Sequence, residues 1–443
     1  MLRGSARIRL GGLSLLLVTA LVAAGSASAA GFSIFEAGSR ATGMGGAFVA
    51  VADDQSAMFY NPAGLAEQAE KGKLKAMVGV TLIVPNSKLD SGADPYPGSD
   101  YSAKQKSMVF FPPNFYASYG LSDNVNISLG TWFPFGLSTA WEDPDTFRGQ
   151  YISQRVDLRQ YALGLQLGWK IDDVLSIGAG PELRVSDVKL QRNVPLLNPF
   201  TNRVVTAAHA DIVGDGFEAN LTWGAGIKIN VSPELSFGAS YHGKVTADYT
   251  GDATFYSKPT GNPQLDALVA SRLPLDKPVP VTTSIAYPAM TQFGLSYVFD
   301  KKLTVALSAN YTWWDVFSQI TLAYGTVDGK SVPATTIPFG YKNAWAFRGG
   351  LEWKATDKLE VLAGIVYDQT PQPDFAVSPL LPDANRTGYS IGLSAKIGQN
   401  THVDFSNLFL FFHERTTLTN KDNFNGTYKT FADLAVVNLR TSF

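Results

Sequence analysis

From about Lys73 to the last residue, apolar and polar positions alternate with period two. Tyr161, Leu163, Leu165, Leu167 and Trp169 interleave with Ala162, Gly164, Gln166, Gly168 and Lys170. Leu175, Ile177, Ala179, Pro181, Leu183 and Val185 interleave with Ser176, Gly178, Gly180, Glu182, Arg184 and Ser186. Successive side chains of a strand point to opposite faces, so one face is greasy and the other small or charged. The pattern predicts strands near 73–84, 105–119, 124–134, 150–170, 174–192, 212–230, 234–256, 281–299, 302–324, 337–354, 358–369, 384–397, 401–418 and 427–443. That is an even number, about fourteen in the register of membrane barrels.

A soluble sandwich would alternate in the same way, with its greasy face turned inward. Strand length argues otherwise: many segments exceed the roughly 5–6 residues of globular strands and reach the ~9–11 that a bilayer requires. The connections also alternate. Short turns at Leu121 to Asp123, Ile171 to Asp173, Ser232-Pro233, Asp300-Lys301, Thr356-Asp357 and Gly398 to Asn400 are separated by long loops such as 85–104 and 135–149. Short turns on one rim and long loops on the other mark an outer-membrane barrel, whose closure leaves no strand edge facing lipid. Aromatics at Trp132-Phe133, Trp141, Trp313-Trp314, Trp345 and Phe409 to Phe412 are candidates for interfacial girdles. The expected fold class is all-β: a transmembrane antiparallel barrel.

Ahead of the strands lie two other segments. Residues 1–29 read as an export signal, with Arg3, Arg7 and Arg9, an apolar run from Leu10 to Ala24, and a small-x-small site at Ala27-Ser28-Ala29. The mature chain would begin Ala30-Gly31-Phe32. Residues 30–72 follow, rich in Gly and Ala from Gly31 to Leu65 and too irregular for a strand. They are expected to fold back as a plug inside a barrel formed by 73–443. Gly43, Gly45 and Gly46 permit tight turns there, and Asn61-Pro62 fits a turn.

Composition narrows the function. The 443 residues carry a net charge of −2 and no Cys, so there is neither a basic footprint for nucleic acid nor any thiol chemistry. His413-Glu414 lacks a second His at helical zinc spacing, and no catalytic residue, metal or cofactor is assigned. Asp53 and Asp54 are expected to bind backbone N–H groups or a lumen Arg rather than a cation. An outer-membrane lipase or a general porin is the less favoured reading. The long 193–211 connection carries Val194, Leu196, Leu197, Phe200, Val204 and Val205, and 257–280 predicts a short helix capped by Asn262-Pro263, with Leu265, Leu268, Val269 and Leu273 on one stripe. Apolar loops suit a greasy cargo. Pro134 and Gly136 within Phe133-Pro134-Phe135-Gly136 would break a strand ladder.

Together these residues resemble the long-chain fatty-acid transporter family of Gram-negative outer membranes (FadL-type), which includes relatives that take up toluene and similar hydrocarbons. The resemblance covers the mature chain and rests on the order of several motifs: the AGF start, ADD at Ala52 to Asp54, Asn61-Pro62-Ala63, PFGLST from Pro134, LSIGAGPELRVSDVKL from Leu175, DQTPQP from Asp368 and LPDANR from Leu381. It implies a fourteen-stranded barrel with an N-terminal hatch, and uptake of fatty acids or monoaromatics. It further implies capture at the loops bearing Leu196, Leu197, Phe200, Leu265, Leu268 and Val269. The ligand pocket would lie beside Gly31, Phe32, Ile34, Phe35, Asn61, Pro62 and Ala63. Exit would be sideways at a third-strand kink formed by Phe133, Pro134, Phe135 and Gly136. Arg148, Arg155, Arg184 and Arg192 are open candidates to meet a carboxylate. Expected partners are outer-membrane lipid and lipopolysaccharide, and the barrel-assembly machinery through a terminal-aromatic signal at Phe443; the resemblance favours a monomer.

Overall fold

The computed structural model describes residues 31–91, 101–199 and 201–443. The export-signal reading and Phe200 lie outside these residues. The strands run antiparallel in a single closed sheet. They are β1 (Leu74–Ser91), β2 (Pro113–Gly120), β3 (Val125–Ala140), β4 (Arg155–Lys170) and β5 (Leu175–Asn198). Three strands follow in two segments each: β6 (Arg203–Gly214, Glu218–Asn230), β7 (Leu235–His242, Val245–Ser257) and β8 (Pro278–Tyr287, Met290–Phe299). The wall ends with β9 (Leu303–Thr312), β10 (Ala344–Thr356), β11 (Leu359–Asp368), β12 (Arg386–Lys396), β13 (Thr401–Phe412) and β14 (Gly426–Ser442). β14 pairs with β1 from Lys75↔Ser442 to Ser91↔Gly426, which closes the cylinder. No described helix is long and apolar enough to cross a bilayer.

The short-turn rim is built by local chemistry. Asp172 Oδ1 accepts the backbone N–H of Val174 and Leu175 at 2.8 and 2.7 Å. Asp300 and Lys301 both take positive φ, which matches a tight hairpin to the strand twist. On the opposite rim, Asn262 caps the loop helix Pro263–Arg272 by accepting from Gln264 N at 2.9 Å.

The outward faces carry an exposed apolar band: Leu163, Leu165, Leu167 and Trp169 on β4, Phe237 on β7, Leu307 on β9, Ile391 on β12 and Val437 on β14. Its upper edge is aromatic. Tyr161 packs on Phe133 at 4.7 Å and on Phe217 at 6.0 Å between ring centres. Immediately above it come the outward ion pairs Arg159–Asp187 and Arg155–Asp157. Trp313, Trp345, Phe409 and Phe411 also face outward, whereas Trp132, Trp141 and Trp314 are fully buried and do not belong to a girdle. Trp132 takes the inward phase of β3, and Trp141 and Trp314 lie beyond the regular ladders of β3 and β9.

Several boundaries differ from the sequence expectation. The predicted loop 193–211 is a continuation of the β5 and β6 hairpin, which turns only beyond Asn198, because Val204 and Val205 pair with Leu197 and Leu196. β3 runs past Pro134 to Ala140. The predicted strand 105–119 is regular only from Pro113; residues 105–112 contact β1 through Ile83 and Phe110, and reach β3 again only near Ala140 and Trp141. The stretch 302–324 is broken after Thr312 by a turn at Trp314–Val316, because its second part leaves the wall to pair with β8.

Residues 31–68 are buried almost throughout and touch strands all round the lumen. Ser39–Gly43 (α1), Ala57–Tyr60 (α2) and Gly64–Glu67 (α3) are single helical turns. The segment is seated on lumen-facing glycines. A Cβ at Gly178 would lie 2.3 Å from Pro62 C, at Gly238 2.4 Å from Val49 O, and at Gly364 2.2 Å from Gly45 N. Only a residue without a side chain allows the two backbones to approach so closely.

Candidate functional site

The N-terminal segment is sewn to the third strand. Gly136 N donates to Phe32 O at 2.7 Å and Ile34 N to Pro134 O at 2.9 Å, and Ser33 bridges Phe135. This happens where the β3–β4 ladder carries a bulge: Trp132 faces Ala162 and Phe135 faces Gln160, so β3 holds one extra residue. On its other side β3 pairs with β2 only up to Thr131. The backbone of Phe133 to Gly136 therefore lacks a neighbouring barrel strand on that side, and residues 32–34 bond to it from the lumen. The bulge lies level with Tyr161, at the upper edge of the apolar band.

Phe32 sits in an aromatic cage formed by Trp314 at 4.8 Å, Phe317 at 5.0 Å, Phe135 at 5.8 Å and Tyr287 at 6.1 Å. Its ring also lines a cavity of about 70 Å³. The cavity wall is made by Leu137, Val156, Leu158, Val188, Leu190, Ile212, Ile285, Ile320, Leu322 and Leu380, among others. No described residue that lines it is charged. Gly31 N donates to Asp383 Oδ2 at 2.9 Å, and Thr370 Oγ1 donates to the same oxygen. Burial pushes the Asp383 carboxyl up to about 6, against the opposing pull of Arg386.

Of the residues expected in the pocket, Phe32 lines this cavity; Gly31, Ile34, Phe35, Asn61, Pro62 and Ala63 do not. Phe35 packs under the Arg348 guanidinium at 4.4 Å and against Phe59. Asn61 Nδ2 donates to Val49 O at 2.9 Å and Ile227 O at 3.0 Å, which ties the turn to the barrel. Leu265 and Val269 are buried and Leu268 half-buried on the loop helix, while Leu196 and Leu197 stand at the hairpin tip, with Leu197 57% exposed. None of these lines the cavity.

The charged candidates are mostly engaged. Asp53 receives Arg40 at 2.7 Å, Asp54 accepts Ser56 N at 2.9 Å, and Arg40 also meets Glu352 at 2.5 Å. Arg184 pairs with Glu182, which is bonded to His242 at 2.8 Å. Arg155 pairs outward with Asp157, and Arg148 lies over Tyr101. Arg192 takes the lumen face two residues above Leu190, beside Tyr324.

The cavity wall was not foreseen, yet the sequence carries a signal for it. On β4 the apolar residues occupy 161, 163, 165, 167 and 169, but above Tyr161 they move to Val156 and Leu158, while Arg155, Asp157 and Arg159 take the outward phase. On β5 the same inversion falls between Val185 and Val188. An inverted alternation within one strand marks the height at which lipid ends outside and a greasy chamber begins inside.

A closed barrel with an apolar outer band, a lumen filled by its own N-terminus and an oily chamber above that filling defines an outer-membrane channel for hydrophobic molecules. The chain matches the model of the outer membrane protein transport family (OMPP1/FadL/TodX) over residues 20–443 and belongs to it. It is 25% identical to outer membrane protein P1 of Haemophilus influenzae, over 97% of this chain and 99% of that one. It is 22% identical to the long-chain fatty acid transport protein of Escherichia coli, over 88% and 89%. Among solved structures, a Pseudomonas aeruginosa FadL homologue superposes with a TM-score of 0.78 at 20% identity, covering 93% and 99%. The Ralstonia pickettii toluene transporter TbuX gives 0.67 at 17%, covering 92% and 100%. The protein is an outer-membrane transporter of a Gram-negative bacterium.

Proposed function

We propose that the protein is a passive uptake channel in which residues 30–72 act as the hatch and cargo leaves through the wall at the third strand. The observation that carries this is the double role of residues 32–34. Phe32 forms part of the cavity wall, and the backbone of the same residues bonds to the unpaired stretch of β3. A molecule pressing into the cavity displaces Phe32, and that displacement strips the partners from Pro134 and Gly136. The cavity then communicates with a gap at the upper edge of the lipid band. The lower lumen stays sealed, because the hatch backbone is wedged against glycines and held by Arg40–Glu352 and by Lys228, which donates to Val51 O at 2.9 Å.

The loop helix and the hairpin tip would gather cargo from the lipopolysaccharide layer, which a greasy molecule crosses poorly alone. Relatives named as a long-chain fatty acid transport protein and as a toluene transporter support long-chain fatty acids and monoaromatic hydrocarbons equally. Transfer of an apolar probe into vesicles containing the full-length protein tests the reading. Transfer above that of protein-free vesicles, with the ion conductance of a closed pore, is expected; open-pore conductance would overturn it.

A further inference from the structure

The cavity is not uniformly hydrocarbon. Thr283 and Tyr249, direct partners across β7 and β8, both line it. Tyr249 OH is 2.6 Å from Ser186 Oγ and 2.7 Å from Tyr287 OH, so three buried hydroxyls form a chain ending at the cavity wall. Beside them Thr283 Oγ1 is buried with no hydrogen-bond partner. A hydroxyl left orphaned among apolar side chains is costly, whereas the same hydroxyl facing a bound polar group is satisfied. Charge is absent from this level: none of the described lining residues is Asp, Glu, Lys, Arg or His, and Arg192 stands higher, beside Tyr324 and outside the lining.

We propose that Thr283, with Tyr249 beside it, is a hydrogen-bonding subsite, and that the cargo of this chain is an uncharged hydrophobic molecule bearing one hydroxyl: an aliphatic alcohol or a phenol. The body of the ligand fills the space between Leu158, Leu190, Ile212 and Phe32, and its hydroxyl meets Thr283 Oγ1. A carboxylate set there would be a buried charge without a counter-ion, which an apolar pocket does not tolerate. The inference rests on the uptake reading and assigns this chain a cargo distinct from the two classes named for its relatives.

The test is displacement of an apolar fluorescent probe from the full-length protein in nanodiscs, by octane, octan-1-ol and octanoate in turn. Comparing each variant with the wild type cancels differences in partitioning. Thr283→Val keeps shape and removes the hydroxyl; it is expected to weaken octanol roughly tenfold, the effect of one buried neutral hydrogen bond, and to leave octane unchanged. Thr283→Ser should retain octanol binding. Equal octanol affinity in Thr283→Val, or octanoate binding more tightly than octanol, would overturn the inference while leaving the uptake reading intact. Failure of all three to displace the probe would overturn both.

Discussion

The contacts of Phe32 belong to docking rather than to the barrel. Its ring touches side chains of β3, β8 and the turn after β9, but its backbone belongs to the hatch. Phe32→Ala removes a buried aromatic, a change that costs about 3–5 kcal/mol in a packed core. That cost falls on the docked state of residues 31–36. Amide exchange at Phe32 to Glu36 should therefore accelerate strongly while the barrel melts as before; unchanged exchange would show that the cage does not hold the segment. Asp383→Ala removes the acceptor of Gly31 N–H and of Thr370 Oγ1. It should loosen the same amides by about 1–3 kcal/mol, again without loss of the barrel, and exchange under identical conditions measures it.

At the scale of elements, what was legible in the sequence is what the bilayer imposes. A lipid face demands period-two apolar residues and tight turns, so the lower halves of β4 and β5 and the turns at Asp172 and Asp300 could be read directly. Above the lipid that constraint ends, and there the reading failed. Leu196, Leu197, Val204 and Val205 read as a greasy loop, yet they pair as strands. Val188 and Leu190 went unnoticed because their phase opposes that of Leu175 to Val185. Burial by the hatch was also invisible: nothing in a single strand shows that Gly238 must admit a backbone carbonyl. That contact yields a further expectation. Gly238→Val drives a side chain into Val49 O, and the hatch must shift, so single-channel conductance should rise. Gly398→Ala, where the nearest atom would be 3.6 Å from the new Cβ, should leave it unchanged. Silent behaviour of Gly238→Val would mean that the lower lumen is sealed by something other than this seat.

The whole molecule joins three features: a lower lumen closed by residues 31–68, an oily chamber above it, and a wall weakened at the height where chamber, hatch and lipid meet. The weakness is one surplus residue in β3 against β4, beside a stretch that β2 leaves unpaired beyond Thr131. Deleting Pro134 brings Trp132, Phe133 and Phe135 into register with Ala162, Tyr161 and Gln160, heals the ladder to β4 and leaves the cavity lining in place. The decisive measurement is protein-mediated transfer of an apolar probe into the bilayer for this deletion, beside probe binding to the same sample. Binding close to wild type with transfer reduced to that of protein-free vesicles is the predicted result. Transfer at the wild-type rate with the β3–β4 ladder unbroken would contradict an exit that depends on the third-strand kink.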